Sequence, residues 1–88
     1  MLRKPLKDDE IAGLMAVCDA CNGSPSAHVP IEFICRKLSR TYRDEAKGII
    51  EKIARHPERL ILAHKGRTKS YSITMAGIEE LRRLGLIP

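Results

Sequence analysis

One stretch, residues 60–84, constrains the fold of this 88-residue chain more than any other. Residues 60–63 and 71–74 are rich in strand-forming side chains, and a short basic sequence containing Gly66 joins them. Because glycine adopts positive φ easily, Gly66 is expected to form the turn of a β-hairpin. Thr74 can then cap a helix. The apolar residues of that helix recur at three-residue steps: Ile78, Leu81 and Leu84.

Three helices are predicted before the hairpin, each with an apolar stripe at helical spacing. Carboxylates at residues 8–10 suit the positive end of the first helix, and Gly23 is expected to end it. The sequence permits a very short strand at residues 27–29. Pro30 is expected in the first turn of the second helix. The third helix is expected to start near Thr41 and to end before Pro57.

Size and charge narrow the choice of partner. A chain of 88 residues is long enough for one domain with a single core. Its sixteen Lys and Arg against eleven Asp and Glu give a net charge of +5. A basic excess on so small a domain favours a polyanionic partner, although charge alone does not separate nucleic acid from an anionic membrane.

Several features bear on the location and source of the protein. No apolar run approaches the length of a membrane span, and no apolar segment follows the first basic residues as in a secretion signal. We therefore expect a cytoplasmic protein that does not enter a membrane. The chain has one Asn and no Gln, a depletion of thermolabile amides that suggests a thermophilic source.

The sequence does not favour an enzyme, and it implies no cofactor. It contains no Gly-rich phosphate loop, no Gly-x-Ser-x-Gly elbow and no paired-His metalloprotease motif. The carboxylate clusters at residues 8–10 and 44–45 are better explained as charges at helix N-termini than as catalytic pairs.

The three cysteines, Cys18, Cys21 and Cys35, allow several interpretations. Each lies on the apolar stripe of its helix, where a free thiol packs as a small hydrophobic group. One alternative is a disulfide through Cys35. Another is a zinc site formed by the three cysteines and His28, although their spacing matches no common zinc module. Core packing is the favoured interpretation, and no metal site is predicted.

Residues 66–77 resemble the wing of the PadR- and MarR-like families of winged helix-turn-helix proteins. In those families a basic tip precedes an aromatic residue and a Leu/Ile-Thr-x-x-Gly-x-x-x-Leu signature. Here the signature residues are Ile73, Thr74, Gly77 and Leu81. The resemblance implies an α+β winged helix-turn-helix fold over residues 1–88, with a three-helix core, a small β-hairpin wing, a C-terminal helix and a basic arm at residues 1–7.

The same resemblance implies binding of double-stranded DNA in transcription regulation. The third helix would enter the major groove, and the basic tip would lie on the backbone. Asp44 and Glu51 on that helix either accept from cytosine amino groups or indicate that the helix does not enter a groove. The candidate DNA-binding residues are Arg36, Lys37, Arg40, Thr41, Tyr42, Arg43, Lys47, Lys65, Arg67 and Lys69.

Other functions remain open at this point. The basic residues can be ordinary solvated charges. The chain can instead be a winged-helix protein-interaction module of replication or transcription machinery, for which Phe33, Leu86 and Ile87 are suitable contacts. A regulator that responds to metal or redox state through the cysteines is a weaker alternative.

A homodimer that reads two DNA half-sites is also expected. The surplus apolar residues that would form it lie at the two ends of the chain and on the second helix: Met1, Leu2, Leu6, Phe33, Leu86 and Ile87.

Overall fold

The computed structural model describes residues 5–88, so most of the predicted basic arm lies outside the described residues. Residues 5–88 form a mixed α+β fold with five helices and one three-stranded antiparallel sheet. The elements in chain order are α1 (Asp8–Ala20), β1 (Val29–Pro30), α2 (Ile31–Lys37), α3 (Arg40–Arg43), α4 (Ala46–Ala54), β2 (Ile61–His64), β3 (Ser70–Ile73) and α5 (Met75–Arg83).

The bounds of α1 agree with the sequence prediction. Asp8 begins the helix, and the buried Glu10 accepts a hydrogen bond of 3.0 Å from the backbone N–H of Lys7. At the other end Asn22 and Gly23 both have positive φ, 53° and 70°. The N–H of Gly23 then donates to the carbonyl of Cys18 at 2.9 Å. This left-handed pair ends the helix by satisfying one of its last carbonyls.

β3 is the central strand of the sheet, with β1 on one side and β2 on the other. Tyr71 faces Val29 of β1 and Ala63 of β2. The predicted short strand is therefore present, but it spans residues 29–30 instead of 27–29. Pro30 ends this strand and precedes α2, so its prediction inside the helix was wrong; its ψ of 157° is that of extended backbone.

The predicted hairpin is confirmed, with strand bounds one residue later at β2 and one residue earlier at β3. The positive-φ conformation expected at Gly66 was wrong. Among the described residues positive φ occurs at Asn22, Gly23, Arg59 and Gly85. The loop at residues 65–69 reverses the chain without one, because five residues allow a wider turn than a two-residue hairpin loop does.

The predicted third helix is interrupted. Residues 40–43 form the short α3, residues 44–45 form a turn, and α4 begins at Ala46. Glu45, at φ −104° and ψ 10°, lies outside the helical region. A helix does start near Thr41, because α3 begins at Arg40, but it ends at Arg43, so the prediction of one continuous third helix was wrong. The predicted end is confirmed, since α4 stops at Ala54, before Pro57.

The core lies between the helices and the inner face of the sheet. The buried face of α1, which includes Leu14 and Val17, packs against α2, α4 and β3. Residues that are fully buried include Leu14, Ile34, Ile49, Ile50, Ile53, Leu60, Ile61, Ile73 and Leu81.

The cysteines pack where the favoured interpretation put them. Cys18 and Cys21 are buried in the core, Cys35 is half-buried against it, and all three are free thiols. The Sγ of Cys21 donates to the carbonyl of Ala27 at 3.6 Å. Burial raises the pKa of the Cys18 and Cys21 thiols, which disfavours the reactive thiolate.

Candidate nucleic-acid interface

The outer face of α4 carries the exposed residues of the predicted third helix. Lys47, Gly48 and Glu51 are exposed there, while Ala46 and Ile50 are buried. The helical period explains why one face of α4 is exposed and the other buried, because the buried residues recur every three or four positions. The first turn of α4 therefore presents the ammonium group of Lys47 to solvent.

The hairpin lies beside this outer face. Lys47 of α4 and Lys69, directly before β3, line one cavity of about 220 Å³ together with Ile31, Glu51 and Tyr71. We call this cavity the α4–hairpin cleft. Burial, and secondarily the Glu51 carboxylate, raises the pKa of the Tyr71 phenol, so Tyr71 supplies a neutral wall. The cleft thus holds two cations and one carboxylate, contributed by α4 and the hairpin.

The remaining predicted contacts of the hairpin lie on the loop that joins β2 to β3. Lys65 and Arg67 are exposed, and so are their neighbours in the loop, Gly66 and Thr68. Three cations within five residues produce a strongly positive tip, since no carboxylate lies between residues 65 and 69.

Of the four predicted contacts on α3, two also make contacts within the protein. Arg40 and Thr41 are exposed. Tyr42 is half-buried against the core. The Nη2 of Arg43 donates to the carbonyl of Leu38 at 3.0 Å, which satisfies a backbone acceptor at the end of α2. Tyr42 and Arg43 therefore hold the α2–α4 connection in place, and the bond from Arg43 is the part of this role that the sequence did not indicate.

Arg36 and Lys37 lie at the carboxyl end of α2, where positive charges interact favourably with the negative end of the helix dipole. They line a separate cavity of about 440 Å³ with His28 and Phe33. Among residues 5–88, none lines both this cavity and the α4–hairpin cleft. The structure thus brings Lys47 and Lys69 together and puts Arg36 and Lys37 at a different cavity.

An ion pair that the sequence did not predict fixes one side of α4. The Nζ of Lys52 binds the Oδ2 of Asp9 at 2.8 Å, joining α4 to the first turn of α1. The hydrogen bond from Lys52 lowers the pKa of the Asp9 carboxyl, and the same bond raises the pKa of Lys52. The two residues are 43 positions apart, so no local pattern could reveal the pair.

A second contact that the sequence did not predict is a pair of stacked histidine rings on the outer face of the sheet. The rings of His28 and His64 stack with centroids 3.9 Å apart and planes 10° from parallel. The Nε2 of His64 also lies 2.8 Å from the Oγ of Ser72. This contact spans β3, and it depends on the strand register rather than on sequence spacing.

Within residues 5–88, no group of three or more His, Cys, Asp or Glu side chains is arranged to hold a metal ion. In the same range no helix has both the length and the apolar character needed to cross a membrane.

Comparison with protein-family models, with curated proteins and with solved structures found no match for this chain. Its candidate interface is therefore defined by its own geometry: a helix face and a basic hairpin loop that meet at the α4–hairpin cleft.

Proposed function

We propose that this chain is a winged helix-turn-helix protein that binds double-stranded DNA and acts in transcription regulation. In this proposal α2 and α4 are the two helices of the motif and α4 enters the major groove. The loop at residues 65–69 is the wing. The observation that supports the proposal best is the α4–hairpin cleft, in which Lys47 and Lys69 come from the two elements that must contact one duplex.

The dimensions are compatible with this assignment. α4 has nine residues, and at 1.5 Å per residue it is about 13 Å long, comparable to the width of the major groove. Lys47 is in its first turn, the part of a recognition helix that contacts base edges in helix-turn-helix proteins. The wing lies alongside and would meet the sugar–phosphate backbone.

Under this proposal some of the predicted residues contact phosphates and one, Lys47, contacts a base. Lys65, Arg67 and Lys69 neutralise phosphates, which gives affinity without sequence preference. Lys47 is the candidate for reading a base, since lysine donates to guanine acceptors in the major groove. Glu51 repels phosphate and can accept from a cytosine amino group. Arg40 and Thr41 lie near enough in sequence to join the backbone contacts.

The resemblance to the PadR- and MarR-like families supports the same assignment. The α2–α4 connection spans residues 38–45 and contains α3, which makes it longer than the tightest helix-turn-helix. Its bond from Arg43 to Leu38 gives the longer connection a fixed shape.

The experiment is a fluorescence-anisotropy titration of labelled duplex DNA with the wild-type chain and a triple wing variant. Replacing Lys65, Arg67 and Lys69 with Ala should weaken binding to unrelated duplexes by similar factors, because the lost contacts are to phosphate. Unfolding midpoints should barely change, since exposed charges contribute little to stability.

A matched control removes the same charge elsewhere. Arg55, Arg59 and Arg82 are exposed, and they lie at the end of α4, before β2 and in α5. Their triple replacement with Ala should weaken duplex binding much less than the wing variant does. Equal losses in both variants would reduce the effect to net charge and would remove the wing from the interface.

A further inference from the structure

The cavity beside Phe33 is a second concave surface on this protein. It is about 440 Å³ in volume and lies between the end of α1, β1 and α2. A cavity of this size falls within the range of small-ligand and peptide-anchor pockets. Its wall is formed by His28, Val29, Pro30 and Phe33, with Arg36 and Lys37 beside them. We call it the Phe33 pocket.

Two of its aromatic walls are fixed by neighbouring side chains. His28 stacks on His64 at 3.9 Å, and His64 is held in turn by its 2.8 Å hydrogen bond with Ser72. On the other side the Cζ of Arg36 lies 5.2 Å from the centre of the Phe33 ring, a cation–π contact. Walls held in this way lose little conformational entropy when a ligand binds.

Phe33, the one Phe in the chain, is 50% exposed. A single exposed apolar residue needs no explanation on a convex surface. Phe33, however, lines a concave site whose other walls include Val29 and Pro30. An apolar group inserted there would remove both its own surface and that of Phe33 from water.

The charge beside this apolar site has one sign. The lining includes the cations Arg36 and Lys37, and no carboxylate among the described residues lines it. An apolar group that carries negative charge next to it is therefore the complementary ligand. Acidic peptide segments with an apolar anchor have this chemistry, and arginine pairs with their carboxylates through two parallel hydrogen bonds.

We propose that the Phe33 pocket binds an acidic segment of a partner protein. One aromatic or aliphatic side chain of that segment enters between Phe33 and Pro30, and carboxylates on either side of it pair with Arg36 and Lys37. The proposal concerns a surface distinct from the α4–hairpin cleft, so it holds whether or not the chain binds DNA.

Single-stranded nucleic acid would carry negative charge as well, but the aromatic walls suit it less. Proteins that bind single strands stack successive bases on open aromatic faces. Here one face of Phe33 is covered by Arg36 and one face of His28 by His64. A peptide anchor requires an apolar wall and not a free pair of ring faces, which favours the peptide.

The test is a selection of short random peptides displayed on phage against the full chain. We expect the selected peptides to share one aromatic or aliphatic residue flanked by Asp or Glu. In anisotropy titrations with a synthetic peptide of that consensus, Phe33→Ala should weaken binding about tenfold or more, since it removes the apolar wall. Arg36→Gln should also weaken it, and added salt should reduce the affinity of the wild type.

Two matched variants serve as controls. Met75→Ala removes a side chain that is 55% exposed outside the pocket, and Arg55→Gln removes a distant exposed charge. Both should bind the peptide as the wild type does. Because Phe33 is half exposed, Phe33→Ala should stay folded, and a thermal melt of the variant checks this.

Three outcomes would overturn the proposal. They are a selection without acidic peptides, equal peptide affinity for wild type and Phe33→Ala, and an oligo(dT) strand that binds the wild type more tightly than the peptide does and loses that affinity in Phe33→Ala. The last result would assign the pocket to single-stranded nucleic acid.

Discussion

Gly77 allows the first turn of α5 to rest on the backbone of Leu60. A β-carbon at position 77 would overlap with the carbonyl oxygen of Leu60 and would lie 3.0 Å from Ile73. Thr74 adds the other half of this junction. Its Oγ1 accepts from the N–H of Gly77 at 3.0 Å and is 3.0 Å from the same Leu60 carbonyl, to which it can donate. The Thr-x-x-Gly pattern thus has a physical cause: it joins the end of the hairpin to α5.

This junction predicts a large effect from one methyl group. Gly77→Ala should destabilise the fold by about 3 kcal/mol, because backbone at Leu60 cannot move aside as a side chain can. Gly48→Ala is the matched control, since nothing lies within 4 Å of a β-carbon there. It should stabilise α4 by roughly 0.5–1 kcal/mol. Urea denaturation of both variants checks the two signs, and a neutral Gly77→Ala would contradict the packing described for α5.

The Asp9–Lys52 ion pair predicts a dependence on pH. Since folding lowers the pKa of Asp9 below its ordinary value of 3.8, the stability that this carboxylate contributes is present above that pH and is lost as the pH falls through the lowered value. Asp9→Asn should therefore be less stable than the wild type near neutrality, with a difference that shrinks in acid.

The measurement is thermal unfolding of both proteins from neutral pH down through and below 3.8, the ordinary pKa of Asp9. Lys52→Gln should show the same course, because it removes the other partner. In the double variant the effects of the two changes should not add. A constant difference between wild type and Asp9→Asn at all pH values would rule out the pair as its cause.

At the scale of elements, the sequence predicted α1, the hairpin and α5 well because their signals are local. Gly23 and Thr74 mark helix ends by their own chemistry, and each does so in the structure. The break between α3 and α4 could not be predicted. Residues 44–46 are compatible with a helix, and the contact that holds the preceding turn, Arg43 to Leu38, is visible only in the folded chain.

The candidate site shows the same limit. Exposure of Lys47, Lys65, Arg67 and Lys69 followed from their charge, and it is confirmed. That Lys47 and Lys69 share a cleft, and that Arg36 lies against Phe33, depends on how α2, α4 and β3 pack. Periodicity predicts which face of a helix is buried but not which element lies next to the other face.

The mixed charge of α4 yields a prediction with two signs. Glu51 lies in the α4–hairpin cleft with Lys47 and Lys69, so it opposes the approach of a phosphate. Glu51→Gln should strengthen duplex binding at low salt, whereas Lys47→Ala should weaken it by about 1–3 kcal/mol if the ammonium reads a base. Titrations against two unrelated duplexes separate base reading, which affects one duplex more, from a phosphate contact, which affects both equally.

At the scale of the whole molecule, the net charge of +5 is distributed unevenly. The hairpin loop is basic, whereas a cavity near α5 has three carboxylates, Glu58, Glu79 and Glu80, and one cation, Arg83, which pairs with Glu80. Homodimer formation remains a prediction. Met1 and Leu2 lie outside the described residues, Leu6 and Ile87 pack partly against the core, and Phe33 and Leu86 are exposed. The proposed DNA-binding face lies on one chain and does not require a dimer.

The salt dependence of duplex binding tests the central claim most directly. If Arg40, Lys65, Arg67 and Lys69 each neutralise one phosphate while Lys47 reads a base, the logarithm of the binding constant should fall with the logarithm of salt concentration at a slope of about −3.6. The triple wing variant should have a slope shallower by up to about 3. A wild-type chain that does not bind duplex DNA at low salt, or whose slope is unchanged by the wing substitutions, would contradict the account.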